Sequence, residues 1–148
     1  MTANDKTIDT VNDLIETCKD GEYGFQTSAE QVKSPSLRAT LQSRAADCRR
    51  AAEELQAHVA QLGGEPEDSG SAVGAMHRGW VAVKAKLSTY DDLAVLEECE
   101  RGEDRALDTY RKALDKDPPP TIRSAIEQQY AGVKRNHDMV RGLRNGMK

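Results

Sequence analysis

The feature that most constrains this chain is a line of apolar residues that recurs every three or four positions along its long segments. This spacing places the residues on one face of an α-helix, so several such segments predict helices packed around a shared core. Residues 93–114 show the pattern and its one anomaly, because two carboxylates occupy inward positions of the line: Leu93, Leu96, Glu100, Glu103, Leu107, Tyr110 and Leu114.

The same spacing predicts an all-α chain with helices over residues 7–33, 35–62, 72–87, 91–115 and 121–143. Ser34 and Pro35 suit the start of the second helix, since serine caps a helix and proline fits its first turn. The turn between the first two helices is short, which makes them antiparallel neighbours. By contrast, residues 63–90 form a long connection that carries the extra helix 72–87, which predicts a crossover along the bundle and parallel second and third long helices.

Length and composition limit the remaining possibilities. A chain of 148 residues with only 4% aromatic residues favours one helical domain, residues 1–148, over a sandwich or a barrel. The net charge of −4, with both signs interspersed, provides no basic face for nucleic acid or membrane lipid. The polar first residues show no signal-peptide pattern, and no apolar run is long enough to span a membrane, so we expect a cytoplasmic protein. Its three cysteines form no CxxC pair and are expected to be reduced and buried.

Four charged or polar side chains on the inward lines are candidate site residues: Glu22, Glu100, Glu103 and His137. A helix rises about 1.5 Å per residue, so the crossover topology places Glu22 and Glu103 about 21 Å above one end of the bundle. The same calculation places Glu100 at about 25 Å and His137 at about 22 Å. All four are therefore expected at one level, whereas an up-down-up-down order would separate them by more than a helical turn.

This arrangement resembles the ferritin-like superfamily, whose four-helix bundles bind two iron ions through carboxylates and Glu-x-x-His motifs. Nearly the whole chain also resembles a family of small bacterial stand-alone ferritin-like proteins of unknown function, through the segments LGGEPEDSGS, MHRGW, VLEECERGED and QQYAGVKRNHD. The resemblance implies a metal site, for iron, manganese or zinc, at the four candidate residues.

The superfamily motif is incomplete in this chain. The second helix has Ala45 and Cys48 where Glu-x-x-His belongs, and the fourth has Lys134-x-x-His137. Three carboxylates and one imidazole suffice for most of one coordination shell, so we expect any metal to be a single ion or a weakly held pair.

Three functions remain open from the sequence. The first is a non-catalytic bundle, with a stress-related role as one option, whose inward carboxylates form a polar network with arginine or lysine partners. The second is binding of a metal or protection against oxidation through the same layer, and the third is binding of a small ligand in the space left by nearby glycines. No nucleophile-base arrangement, phosphate loop or nucleotide fingerprint is present to support an ordinary hydrolase or transferase. We expect a monomer or weak homodimer.

Overall fold

The computed structural model describes residues 3–70 and 91–147. Within these residues it contains four long helices and no strand: α1 (Ala3–Gln31), α2 (Pro35–Gln61), α3 (Asp92–Asp115) and α4 (Pro120–Gly146). Their ends lie within about one turn of the predicted ends, and the predicted helix over residues 72–87 lies outside the described part of the chain. None of the described helices has the length and apolar character needed to cross a membrane.

The turn between α1 and α2 also holds the beginning of α3. Ser34 caps α2 by accepting a hydrogen bond from the backbone N–H of Leu37, at 3.3 Å, and Pro35 is the first residue of the helix, as predicted. The carboxylate of Asp92 accepts hydrogen bonds from the backbone N–H groups of Lys33, at 2.8 Å, and Ser34, at 3.1 Å. Helices α2 and α3 therefore begin at the same end of the bundle and run parallel, which confirms the predicted crossover topology.

At the opposite end, the chain leaves α2 and passes over α1. Gly63 has a φ of 83°, a left-handed conformation that glycine adopts without steric cost and that commonly ends a helix. The side chain of Asn12 on α1 then donates a hydrogen bond to the backbone oxygen of Glu65, at 3.1 Å, and accepts one from the backbone N–H of Glu67, at 2.8 Å. These bonds fix the first part of the crossover against α1.

Apolar side chains fill the bundle in two clusters. Helix α1 packs against α2 and α3, while α4 packs against α3 and touches α2 only over a short stretch. One cluster lies toward the start of α1 and includes Ile15, Leu55 and Ile126, and the other lies toward the α1–α2 turn and includes Leu41 and Leu96. Each fully buried aliphatic side chain stabilises the fold by about 1.5 to 3 kcal/mol. The inward polar residues lie between these two clusters along their helices.

Candidate functional site

Glu103 forms a buried ion pair with Arg44, which reaches it from α2. The two side chains are 3% and 7% exposed, and Arg44 Nη2 lies 3.4 Å from Glu103 Oε2. Arg44 also donates a hydrogen bond to Asp47, at 3.0 Å, and its guanidinium lies 5.1 Å from the centre of the Phe25 ring. Burial raises the pKa of Glu103 to about 7, although Arg44 acts in the opposite direction.

This ion pair uses only part of its hydrogen-bonding capacity. Arginine and a carboxylate often form two parallel bonds, but here one contact joins Arg44 to Glu103. Arg44 Nε and Glu103 Oε1 are both buried and have no hydrogen-bond partner within the described residues. The pair therefore leaves one donor and one acceptor unused inside the bundle.

Glu100, one turn earlier on α3, is neutralised by arginines of α4. Arg144 Nη1 lies 2.7 Å from Glu100 Oε1 and 2.6 Å from Oε2. Arg141 Nε adds a longer ionic contact of 3.8 Å to Oε1. The last two turns of α4 thus supply the counter-charge for a buried carboxylate, since Glu100 itself is 8% exposed.

His137 lies beside this pair, with one carboxylate near each ring nitrogen. Its Nε2 is 2.6 Å from Asp104 Oδ1, and its Nδ1 is 3.3 Å from Asp138 Oδ1. The ring is buried, and Nε2 lies close to Asp104 without an aligned hydrogen bond. Glu100, Asp104 and His137 each place one potential ligand atom within 4.8 Å of the other two. This spacing is short enough for all three atoms to contact a single cation.

A cavity of about 880 Å³ adjoins the polar layer, and residues of all four helices line it. Four glycines are among its walls: Gly21, Gly24, Gly102 and Gly132. Gly21 also allows α1 to approach α2, because a Cβ added there would lie 2.9 Å from Cys48 Sγ. A close approach of this kind is a common reason for a glycine in the interior of a helix.

The three cysteines lie in the same region and are unsuited to nucleophilic chemistry. All three are free thiols; Cys18 and Cys99 are buried and Cys48 is partly buried. Burial raises the pKa of Cys18 to about 11 and those of Cys48 and Cys99 to about 12, so the reactive thiolate is disfavoured. Cys18 Sγ lies 3.3 Å from the hydroxyl of Tyr110, which continues the polar contacts of the layer.

The predicted site residues come together only in part. Glu100 and His137 lie in one cluster, whereas Glu103, on the same helix, pairs with Arg44. Glu22 does not join them: its side chain is 24% exposed and forms an ion pair with Lys19, at 3.7 Å, one turn earlier on α1. An inward line fixes only the direction of the Cα–Cβ bond, and a long glutamate at the edge of that line can turn toward a neighbouring lysine instead.

The sequence interpretation did not include Asp104 and Arg44. Asp104 follows Glu100 by four residues, so the helical repeat places both on one side of α3, and this spacing was the available signal. Arg44 precedes the inward Ala45 by one position, where the pattern gives no reason to expect a buried charge.

The donor set does not fit the dinuclear iron centre that a ferritin-like fold implies. Such a centre takes carboxylate and imidazole ligands from the second helix as well. Here α2 provides Arg44 at that level, and its guanidinium contacts Glu103, a would-be ligand. A cation at Glu103 would have to displace a positive charge that is already there.

Comparison of the fold identifies a solved structure with the same architecture. A mutant of Dps1 from Mycobacterium smegmatis superposes with a TM-score of 0.77 and 15% sequence identity, over 97% of this chain and 99% of that chain. At this identity the likeness concerns the fold alone, which is ferritin-like and all-α. No curated protein matches the chain in sequence.

Sequence comparison with protein families gives one match across most of the chain. The model described as "Domain of unknown function (DUF2383)" matches residues 6–116. This range contains α1, α2 and α3 almost completely, and it ends before α4, which carries His137 and Arg144. The chain therefore belongs to the DUF2383 family, with a ferritin-like fold.

Proposed function

We propose that this chain is a non-catalytic helical bundle protein whose inward Glu/His layer is an ion-pair network that fixes how the helices align. The observation that carries this proposal is that each buried glutamate of the layer has an arginine partner from another helix: Arg44 for Glu103 and Arg144 for Glu100. Burying a carboxylate without a partner costs several kcal/mol, so these pairs offset part of the electrostatic cost of placing the glutamates in the core. Buried ion pairs can also select one packing arrangement among several.

Removal of Arg44 tests the network directly. Arg44→Leu would leave Glu103 buried without its counter-charge, so the carboxyl group would have to take up a proton or remain ionised and unpaired, and breaking a buried pair in this way typically costs about 3 to 5 kcal/mol. Arg49→Leu is the matched control on the same helix, because Arg49 is exposed and pairs with exposed Glu53. Urea unfolding should show a large loss for the first variant and a loss below about 1 kcal/mol for the control. Equal losses would contradict the proposed network.

Metal content provides the second test. Protein purified without chelator should contain less than one equivalent of iron, manganese or zinc, and treatment with EDTA should leave its thermal unfolding unchanged. A stoichiometric metal that survives purification, with a fall in unfolding temperature on its removal, would overturn the proposal.

A specific observation favours a second candidate, the binding of a single divalent cation between α3 and α4. Glu100, Asp104 and His137 provide two carboxylates and one imidazole within 4.8 Å, which suits one ion of the zinc or manganese type. Arg144 would have to leave Glu100 first. Its side chain is 22% exposed and belongs to the last turn of α4, so movement toward solvent is sterically feasible.

Calorimetric titration with Zn²⁺ distinguishes the two candidates. If the cluster binds the ion, His137→Gln and Asp104→Asn should each raise Kd at least tenfold, while Arg144→Gln should lower it by removing the competing charge. Asp108→Asn is the control, because Asp108 lies one turn further along α3, is exposed and pairs with Lys112. Zinc affinity that His137→Gln leaves unchanged would eliminate this candidate.

The assembly state stays a prediction of a monomer or weak homodimer. Light scattering over a range of protein concentrations tests it, and a mass corresponding to a large shell would contradict it.

A further inference from the structure

The cavity beside the ion pair has the size and walls of a small-molecule site. Its volume of about 880 Å³ lies within the range of about 300 to 1,000 Å³ that is usual for ligand pockets. Apolar side chains from different helices contribute to the walls, among them Phe25, Val95, Ala106 and Val133. A compound that enters it would therefore exchange water mainly for hydrocarbon and aromatic surface.

Two buried polar side chains in the wall of this cavity give it chemical selectivity. Arg44 and Glu103 both line it, and both residues are more than nine-tenths buried. Arg44 Nε is a donor and Glu103 Oε1 an acceptor, and neither has a hydrogen-bond partner among the described residues. A buried polar atom without a hydrogen-bond partner is unfavourable, so a compound that satisfies both atoms gains affinity that a purely apolar compound lacks.

We propose that this cavity binds a small, neutral organic molecule whose polar edge is an amide, with its carbonyl oxygen accepting from Arg44 Nε and its N–H donating to Glu103 Oε1. The remainder of the molecule packs against the apolar walls. Arg44 contacts two carboxylates, Glu103 and Asp47, and Asp47 also pairs with Arg50, so the charges of the network are already balanced and a ligand carboxylate would add an uncompensated negative charge. A ligand ammonium would meet the buried guanidinium. A neutral amide avoids both penalties and uses atoms that the network leaves free.

Three matched aromatic probes test the chemical class. Naphthamide has both the acceptor and the donor, N,N-dimethylnaphthamide keeps only the acceptor, and naphthoate carries a charge. Titrations followed by protein-observed NMR should show saturable binding of one naphthamide per chain, with Kd at least tenfold higher for each of the other two probes. Equal Kd values for all three would show simple partition into an apolar space and would overturn the proposal, as would the absence of naphthamide binding at its solubility limit.

Variants of the chain locate the site. Ala106→Phe places a larger side chain at the cavity wall and should abolish naphthamide binding, whereas Ala131→Phe adds the same group at an exposed position of α4 and should leave Kd unchanged. Arg44→Lys keeps the positive charge but removes Nε, so it should raise Kd for naphthamide toward that for N,N-dimethylnaphthamide. Circular dichroism and thermal unfolding establish that each variant is folded. Binding that persists in a folded Ala106→Phe variant would place the ligand elsewhere and refute the assignment.

Discussion

The pH dependence of stability at Glu103 tests which of two opposing effects dominates in the bundle interior. Burial raises the pKa of Glu103 from 4.5 to about 7, whereas the positive charge of Arg44 lowers it. A carboxyl group whose pKa is raised by folding binds its proton more tightly in the folded state. Its contribution to stability is therefore complete below pH 4.5 and is lost as the pH rises through about 7.

The size of this effect follows from the displacement of the pKa. At about 1.36 kcal/mol per pH unit, a change from 4.5 to about 7 corresponds to about 3 kcal/mol in total. Roughly 2.5 kcal/mol of this falls between pH 5 and pH 8, where most of the titration in the folded state takes place. Glu103→Gln keeps the size of the side chain but cannot ionise, so it should not show this loss.

Urea unfolding of the wild type and of Glu103→Gln at pH 5 and pH 8 provides the measurement. The stability of the variant relative to the wild type should rise by roughly 2.5 kcal/mol between the two pH values. Comparing the two proteins cancels most of the contributions of the titratable groups that both contain. Glu127→Gln is the control, because Glu127 is exposed and pairs only loosely with Arg123, at 3.9 Å.

A change of opposite sign would refute this reasoning. If the wild type gains stability over Glu103→Gln as the pH rises, the attraction of Arg44 outweighs burial and the folded protein prefers the ionised carboxylate. A pH-independent difference, equal to that of Glu127→Gln, would mean that water reaches Glu103 and that the side chain is not buried in solution.

Two further predictions concern packing and hydrogen bonds in the same region. Gly21→Ala should destabilise the protein by about 1 to 3 kcal/mol, because the new Cβ would lie 2.9 Å from Cys48 Sγ. Gly24→Ala should instead stabilise it by up to about 1 kcal/mol, because a Cβ added there would have no atom of another described helix within 4 Å and alanine favours the helix. Thermal unfolding measures both changes. A stable Gly21→Ala variant would show that α1 and α2 are further apart. Tyr110→Phe should lower the free energy of unfolding by about 1 to 2 kcal/mol, because it removes the hydroxyl that donates to Gln129 Oε1, at 2.7 Å. Adding Gln129→Leu should recover part of this stability, because the unpaired acceptor is then removed as well. If no stability is recovered, the hydrogen bond does not contribute as described.

The fold was predictable because apolar residues recur every three or four positions along each helix. On α2, the inward positions Leu37, Leu41, Ala52, Leu55 and Val59 are all buried, as the spacing indicates. An apolar side chain has no alternative partner at the surface, so a line of them fixes which face of a helix turns inward. The length of the connection between α2 and α3 then sufficed to predict that these helices are parallel.

The candidate site was less predictable because charged side chains are long and have alternative partners. Arg44 stands beside the inward line, yet its three methylene groups carry the guanidinium into the core, while Glu22 stands on the line and turns toward Lys19. Asp104 is largely exposed but still reaches the buried ring of His137. For such residues the direction of the Cα–Cβ bond, which periodicity provides, does not determine the position of the charged atoms.

Contacts of charged side chains also explain how α3 is held relative to the other helices. Helices α2 and α3 are diagonal in the bundle, without close backbone approach, so the pair between Arg44 and Glu103 links them across the core. Asp92 fixes the beginning of α3 to the α1–α2 turn, and Glu100 links its middle to α4. Apolar packing tolerates small sliding movements, whereas an ion pair loses much of its energy when the charged atoms separate by a few ångströms. The layer between the two apolar clusters can therefore specify the alignment of α3 even where its net contribution to stability is small.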